Sequence, residues 1–137
     1  MAEHRVSLIE GPLGPAASGP HGSLAEGVCV VFEGIVRPTE DDRRLLALDY
    51  EAYEPMTSRQ LETLCCEIAE AHGVSAIAVE HSHGRVRVGE VSFRLTVRAA
   101  HRKEGLAAMD AFIDRMKAEV ALWKRPVFED AAATPAT

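Results

Sequence analysis

The sequence predicts an α+β domain, a mostly antiparallel sheet with two main helices packed on it in an α/β hammerhead-like arrangement. Three observations carry this expectation. Val91, Phe93, Leu95, Val97 and Ala99 alternate with Ser92, Arg94, Thr96 and Arg98, the two-residue period of a strand. Two other stretches, after Thr57 and after Lys103, repeat apolar residues at helical spacing. The order along the chain is strands, helix, strands, helix.

Taken in order, His4 to Ile9 is the first expected strand, and Glu10 to Gly27, rich in Gly, Pro, Ser and Ala, reads as a flexible loop. Val28 to Phe32 is a continuous apolar run, the pattern of a strand covered on both faces. It continues through Ile35 and Val36 to Arg37, where Pro38 stops it. Pro38 to Arg44 reads as an exposed loop. Leu46, Leu48 and Tyr50 alternate with Ala47, Asp49 and Glu51 in a half-buried strand. Thr57 and Gln60 have capping-box spacing at the start of a helix with Leu61, Leu64, Cys65 and Ile68 on its apolar stripe, and Gly73 suits its end. Val74 to His81 is a strand and Val86 to Val88 a shorter one. Gly89 turns into the Val91–Ala99 strand. The second helix, about Lys103 to Val120, puts Leu106, Met109, Ile113, Met116 and Val120 on one stripe. Leu122 to Phe128 leaves that helix, and Glu129 to Thr137 reads as a frayed tail.

The 137 residues fit one domain, 1–137, with 47% hydrophobic and 26% charged residues. A formal net charge of −6 argues against broad binding to nucleic acid or an anionic membrane. No apolar run is long enough to span a bilayer, and no leader-like segment opens the chain, so a cytoplasmic location is expected. Cys29, Cys65 and Cys66 lack metal-ligand spacing, and Cys29 and Cys65 read as small core residues.

Five residues could carry chemistry. Lys117 lies about 20° from Leu106 around the second helix, beside Ile113 and Val120. It is either a snorkelling lysine paired with Asp110 or Asp114, or a partly desolvated, more reactive amine. Lys124 follows between Trp123 and Arg125, a surface segment unless something gathers it. His101 and Arg102 end the best strand where a helix begins, a place that can hold an anion. Arg37 places a guanidinium at the edge of a strand. His81 and His83 share a face but lack a third ligand, so no metal is expected.

Phe32-Glu-Gly-Ile-Val-Arg37, Leu48-Asp-Tyr-Glu-Ala-Tyr-Glu-Pro-Met56, His81 with Gly84, Gly89-Glu90, Ala100-His-Arg102, Met116-Lys117 and Trp123-Lys-Arg125 resemble, in order and spacing, the MoaE family of molybdopterin synthase large subunits. The resemblance covers about residues 27 to 126. It implies a sulfurtransferase that converts cyclic pyranopterin monophosphate into the molybdopterin dithiolene. Sulfur arrives as a thiocarboxylate on the C-terminal Gly-Gly tail of a small ubiquitin-like subunit, and two large subunits form a homodimer within a heterotetramer. It further implies catalytic roles for Lys117 and Lys124, and an anionic substrate held by these two with Arg37, His101 and Arg102, the last two conceivably from the neighbouring protomer. Neither a cofactor nor a metal is implied. The competing reading is a non-catalytic binding module or scaffold for a ubiquitin-like partner. The sequence departs from the family pattern at Ser82, usually Arg, at Gly105-Leu106, usually Ala-Phe, and at Pro126, commonly acidic. It departs again in the Gly/Pro-rich 10–27 stretch, where most members carry a helical segment.

Overall fold

The computed structural model describes residues 2–16 and 25–130. The elements are β1 (Glu3–Glu10), β2 (Val28–Ile35), β3 (Thr39–Glu40), β4 (Arg43–Ala52), α1 (Met56–His72), β5 (Ala76–Arg87), β6 (Val91–Ala99), α2 (Arg102–Glu119) and β7 (Leu122–Phe128). The α+β expectation holds: every strand pairing is antiparallel except β1 with β5. Both helices pack against the β1, β2, β5 and β6 part of the sheet. The part of the expected 10–27 loop at 17–24, and the tail at 131–137, lie outside the described residues.

Strand β5 is the spine. Its first half pairs with β6 on one side and β1 on the other, and its last residues pair with β4. The change of partner comes at Gly84, where φ is +82°, a conformation that a Cβ disfavours. Two expected strands are therefore one long strand with a glycine bend. Beyond the bend β4 carries β7 on its other edge, giving a second, smaller sheet. Pro126 is accommodated because β7 is an edge strand.

The main core lies between the helices and β5–β6. Leu61, Ile77, Leu95, Val97 and Phe112 are almost wholly enclosed, each contributing on the order of 1.5–3 kcal/mol through burial. Burial also pushes the Cys65 thiol up to about 12, so it acts as an inert packing residue. A smaller cluster of Val36, Leu45, Leu48 and Val86 fills the second sheet.

Several local readings change. β2 is not covered on both faces: it is the outer strand of the sheet, Cys29 is exposed, and Val31, Phe32 and Ile35 show 50, 41 and 55% of their surface. β4 carries an irregularity between Leu45 and Ala47, so Leu45 and Leu48 face the core while Leu46 points out. Part of the expected 38–44 loop is a hairpin, with Asp41 and Asp42 in the left-handed region at its tip. On α2 the buried stripe is Gly105, Ala108, Met109, Phe112 and Met116, and Leu106 is exposed.

The capping box is replaced by something longer-ranged. Glu54 accepts the Ser58 N–H at 2.8 Å. Thr57 is buried; its hydroxyl accepts the Tyr53 N–H and donates to the Ala121 carbonyl at 2.7 Å. The Gln60 side-chain oxygen accepts the Ala121 N–H, also at 2.7 Å. Helix α1 thus grips both backbone groups of Ala121, in the short link that joins α2 to β7.

Candidate functional site

Where the two sheets diverge, a cleft of about 690 Å³ opens between the end of β2, the β3–β4 hairpin, the C-terminal half of α2 and the start of β7. Arg37 enters from the end of β2, Lys117 from α2 and Lys124 from β7. All three are exposed, and none has an ion-pair or hydrogen-bond partner among the described residues. Glu33 also lines the cleft, but its carboxylate is committed to Arg94 at 2.7 Å; Glu40 stands on the hairpin. Cations left unanswered by their own chain raise the local positive potential and are free to bind an anion. The overall charge of −6 gave no hint of this concentration.

Lys117 gets there by geometry. Leu106, Ile113 and Lys117 lie beside the buried stripe, on the flank of α2 that turns toward the cleft. Neither Asp110 nor Asp114 pairs with Lys117, so the snorkelling ion pair does not form. Lys124 faces the same space because β7 pairs antiparallel with β4, placing Lys124 opposite Tyr50.

The deep part of the cleft is aromatic and neutral. His81 is 6% exposed, with its ring edge-on to Tyr50 at 5.1 Å and tilted against Phe93 at 5.6 Å. Burial lowers its pKa, opposed by the hydrogen bond to the Ser82 carbonyl. The Tyr50 hydroxyl donates to Ser92 at 3.0 Å, and burial raises the Tyr50 pKa. The sequence reading weighed His81 only as a metal ligand and gave Tyr50 and Ser92 no chemical role. The available signal for His81 was its place in phase with Ile77 and Val79 on the core-facing side of β5. Among the described residues no three His, Cys, Asp or Glu side chains group as a metal set.

His101 and Arg102 are not brought to this cleft. They lie with Lys103 and Glu104 in a shallow depression at the N-terminus of α2, roughly 22 Å along the helix from Lys117. His101 is the N-cap residue, yet its side chain makes no capping bond. The helix therefore keeps unpaired N–H groups beside an exposed imidazole and guanidinium.

The departure at Ser82 has a structural explanation, and the one at Gly105 has none. Ser82 is wholly buried and its hydroxyl donates to the Gly11 carbonyl at 2.6 Å, tying down the exit of β1. Gly105 is where α2 presses on the sheet; a Cβ there would meet Ala99, Val28 and Val30 at 3.6–3.7 Å, an ordinary contact.

Fold and cleft together define a small α+β protein that presents two amines and a guanidinium in one cleft above an aromatic floor. The chain belongs to the MoaE family: the family model described as MoaE protein matches residues 16–119. It is 38% identical over 107 residues to the molybdopterin synthase catalytic subunit of Oryza sativa subsp. indica, covering 78% of this chain and 55% of that protein. It is 33% identical over 111 residues to the molybdopterin synthase catalytic subunit of Nostoc sp., covering 80% of this chain and 67% of that one. The chain spans about half the length of the first of these relatives. Among solved structures, molybdopterin synthase from Staphylococcus aureus superposes with a TM-score of 0.80 at 26% identity, covering 90% of this chain and 91% of that one. No helix among the described residues is long and apolar enough to cross a membrane.

Proposed function

We propose that the chain is the catalytic subunit of a molybdopterin synthase, moving sulfur from the C-terminal thiocarboxylate of a small ubiquitin-like partner to cyclic pyranopterin monophosphate. The observation that carries this reading is the convergence of Arg37, Lys117 and Lys124 on one cleft without partners among the described residues. A thiocarboxylate and a cyclic phosphate are both anions, and fixed cations offset their desolvation while orienting them. Lys117 is assigned to the reacting carbonyl, where an ammonium stabilises developing oxyanion charge or moves a proton. Lys124 assists, and Arg37 holds substrate. The reading needs no cofactor and no metal, and it belongs to the cytoplasm.

His101 and Arg102 enter this reading through a second copy of the chain. β6 is an inner strand between β2 and β5 and offers no free edge for a dimer. One free edge beside the cleft is β2, with Val31, Phe32 and Ile35 exposed, and Phe32 to Arg37 of the same segment line the cleft. A homodimer built over β2 would cover this apolar edge and bring a neighbour's surface to the cleft rim. Light scattering at micromolar concentration should show the dimer, and a monomer would remove this part of the reading.

The defining experiment combines the purified chain, the cyclic precursor and a partner carrying a thiocarboxylated Gly-Gly end. Dithiolene product is expected. Deleting the partner's last two residues should abolish turnover while the two proteins still bind. Product formation with the shortened partner would overturn tail insertion, and no product with the intact partner would favour the scaffold reading.

A further inference from the structure

We infer that His81 is a specificity-determining residue of the cleft, its Nε2 accepting a hydrogen bond from a ring N–H of a flat heterocyclic substrate whose anionic end is held by the cations at the mouth. This rests on the proposal that the cleft takes a pterin phosphate. The argument starts from the proton on the ring. His81 Nδ1 lies 2.8 Å from the Ser82 carbonyl oxygen, which can only accept, so Nδ1 carries the hydrogen. Burial disfavours a second proton, leaving Nε2 as a lone-pair acceptor.

No group among the described residues donates to Nε2. Yet the one sealed, unpartnered side-chain nitrogen or oxygen found among them is Arg98 Nε. Nε2 is therefore not sealed, and the open space beside His81 is the cleft it lines. The ring is also held still, by the Ser82 bond, by Tyr50 at 5.1 Å and by Phe93 at 5.6 Å. An acceptor fixed in this way loses little entropy on binding.

The surroundings select the kind of donor. Phe32, with its ring 5.9 Å from that of Phe93, continues a run of aromatic side chains through His81 to Tyr50, all lining the same space. Such a surface suits a planar ring rather than a flexible peptide tail. A pterin ring system carries amide-type and amino N–H donors at the end away from its phosphate. Exposed cations at the mouth and a neutral acceptor at the floor match those two ends in order. The Gly-Gly tail of the partner has no equivalent planar donor edge, so this residue discriminates substrate rather than partner.

The test uses binding of the cyclic precursor, and separately of inorganic phosphate, to the parent, His81→Asn and His81→Gln. Asn keeps a donor near the Nδ1 position and offers nothing at Nε2, whereas the longer Gln places its amide there. His81→Asn should bind the precursor roughly ten- to hundredfold more weakly, because a ring donor loses its preorganised acceptor. Gln should recover most of that loss, and phosphate should bind all three alike. Equal precursor affinity in parent and His81→Asn overturns the inference and leaves the proposed activity untouched. A parent that binds phosphate but not the precursor overturns the pterin reading and this inference with it. Should His81→Asn fail to fold, ring ¹⁵N resonances of the parent decide: the Nε2 signal should move with precursor and not with phosphate, and an unmoved signal overturns the proposal.

Discussion

Arg94 and Lys117 are both cations held at the sheet–helix framework, and the protein treats them in opposite ways. Arg94 stands on the face of β6 away from the helices, with a side chain 6% exposed. Glu33 and Glu80 each approach its guanidinium at 2.7 Å, and the Gly14 carbonyl accepts from it at 2.6 Å. Burial works against its charge, yet the two carboxylates more than offset that and leave its pKa raised. Lys117, exposed on the cleft side, has no partner among the described residues. A cation answered from within holds strands together, and one left unanswered waits for a ligand. Glu33 links the two regions: its segment of β2 lines the cleft, and its carboxylate is paired with Arg94 rather than with the lysines.

Breaking the comparison at its functional end gives the largest effect. Lys117→Ala should lower single-turnover product formation by about 10²–10³, the cost of losing one preorganised charge-stabilising donor. Its stability should change by only about 1 kcal/mol or less, since no internal partner is lost. Lys117→Arg should rescue poorly because the planar guanidinium changes the shape and cannot give up its proton. Lys124→Ala should fall between Lys117→Ala and parent. A Lys117→Ala protein with parental rate and parental partner binding would reduce Lys117 to a surface lysine.

At the structural end the order reverses. Arg94→Met should destabilise by roughly 2–3 kcal/mol in denaturant melts, short of the loss for a fully buried pair because Glu33 and Glu80 keep access to water. If stability is unchanged, Arg94 does not hold the strands.

The smallest effect sharpens the comparison on the packed side. Gly105→Ala adds a methyl at ordinary contact distance from Ala99, Val28 and Val30 and removes a helix-interior glycine. It should therefore stabilise by about 0.5–1 kcal/mol without changing turnover. A thermal melt that falls instead would mean that α2 presses on the sheet too tightly for a methyl.

What the sequence made legible follows the range of the physics involved. The alternation in β6 is a local signal, and Phe93, Leu95, Val97 and Ala99 face the core as expected. The Val28–Phe32 run misled because apolar residues on an edge strand look like those of a covered one; burial here is a matter of assembly, not of the segment. Leu46 misled because one irregular residue in β4 shifts the phase of its neighbours. Thr57 and Gln60 have the right spacing for a cap, but a partner more than 60 residues away took both side chains. At the site, Arg37, Lys117 and Lys124 were found by family resemblance and the structure brings them together. His81 was weighed only with His83 as a metal pair, because a histidine on a core-facing position shows no other function until the cavity beside it is known.

The grip of α1 on Ala121 has a consequence for how the protein fails. Lys117 and Lys124 are near neighbours in the chain, but the peptide between them is held by Thr57 and Gln60 in the first turns of a helix that contributes nothing to the cleft. Pro55, Met56 and Arg59 of that end are exposed, and helix ends open at lower free energy than the core. When this end loosens, the crossover loses its anchor while Leu61, Phe112 and Leu95 are still packed. Inactivation therefore runs ahead of unfolding. Turnover should disappear at a lower denaturant concentration than the bulk signal of the sheet, so a sample can look folded and already be idle.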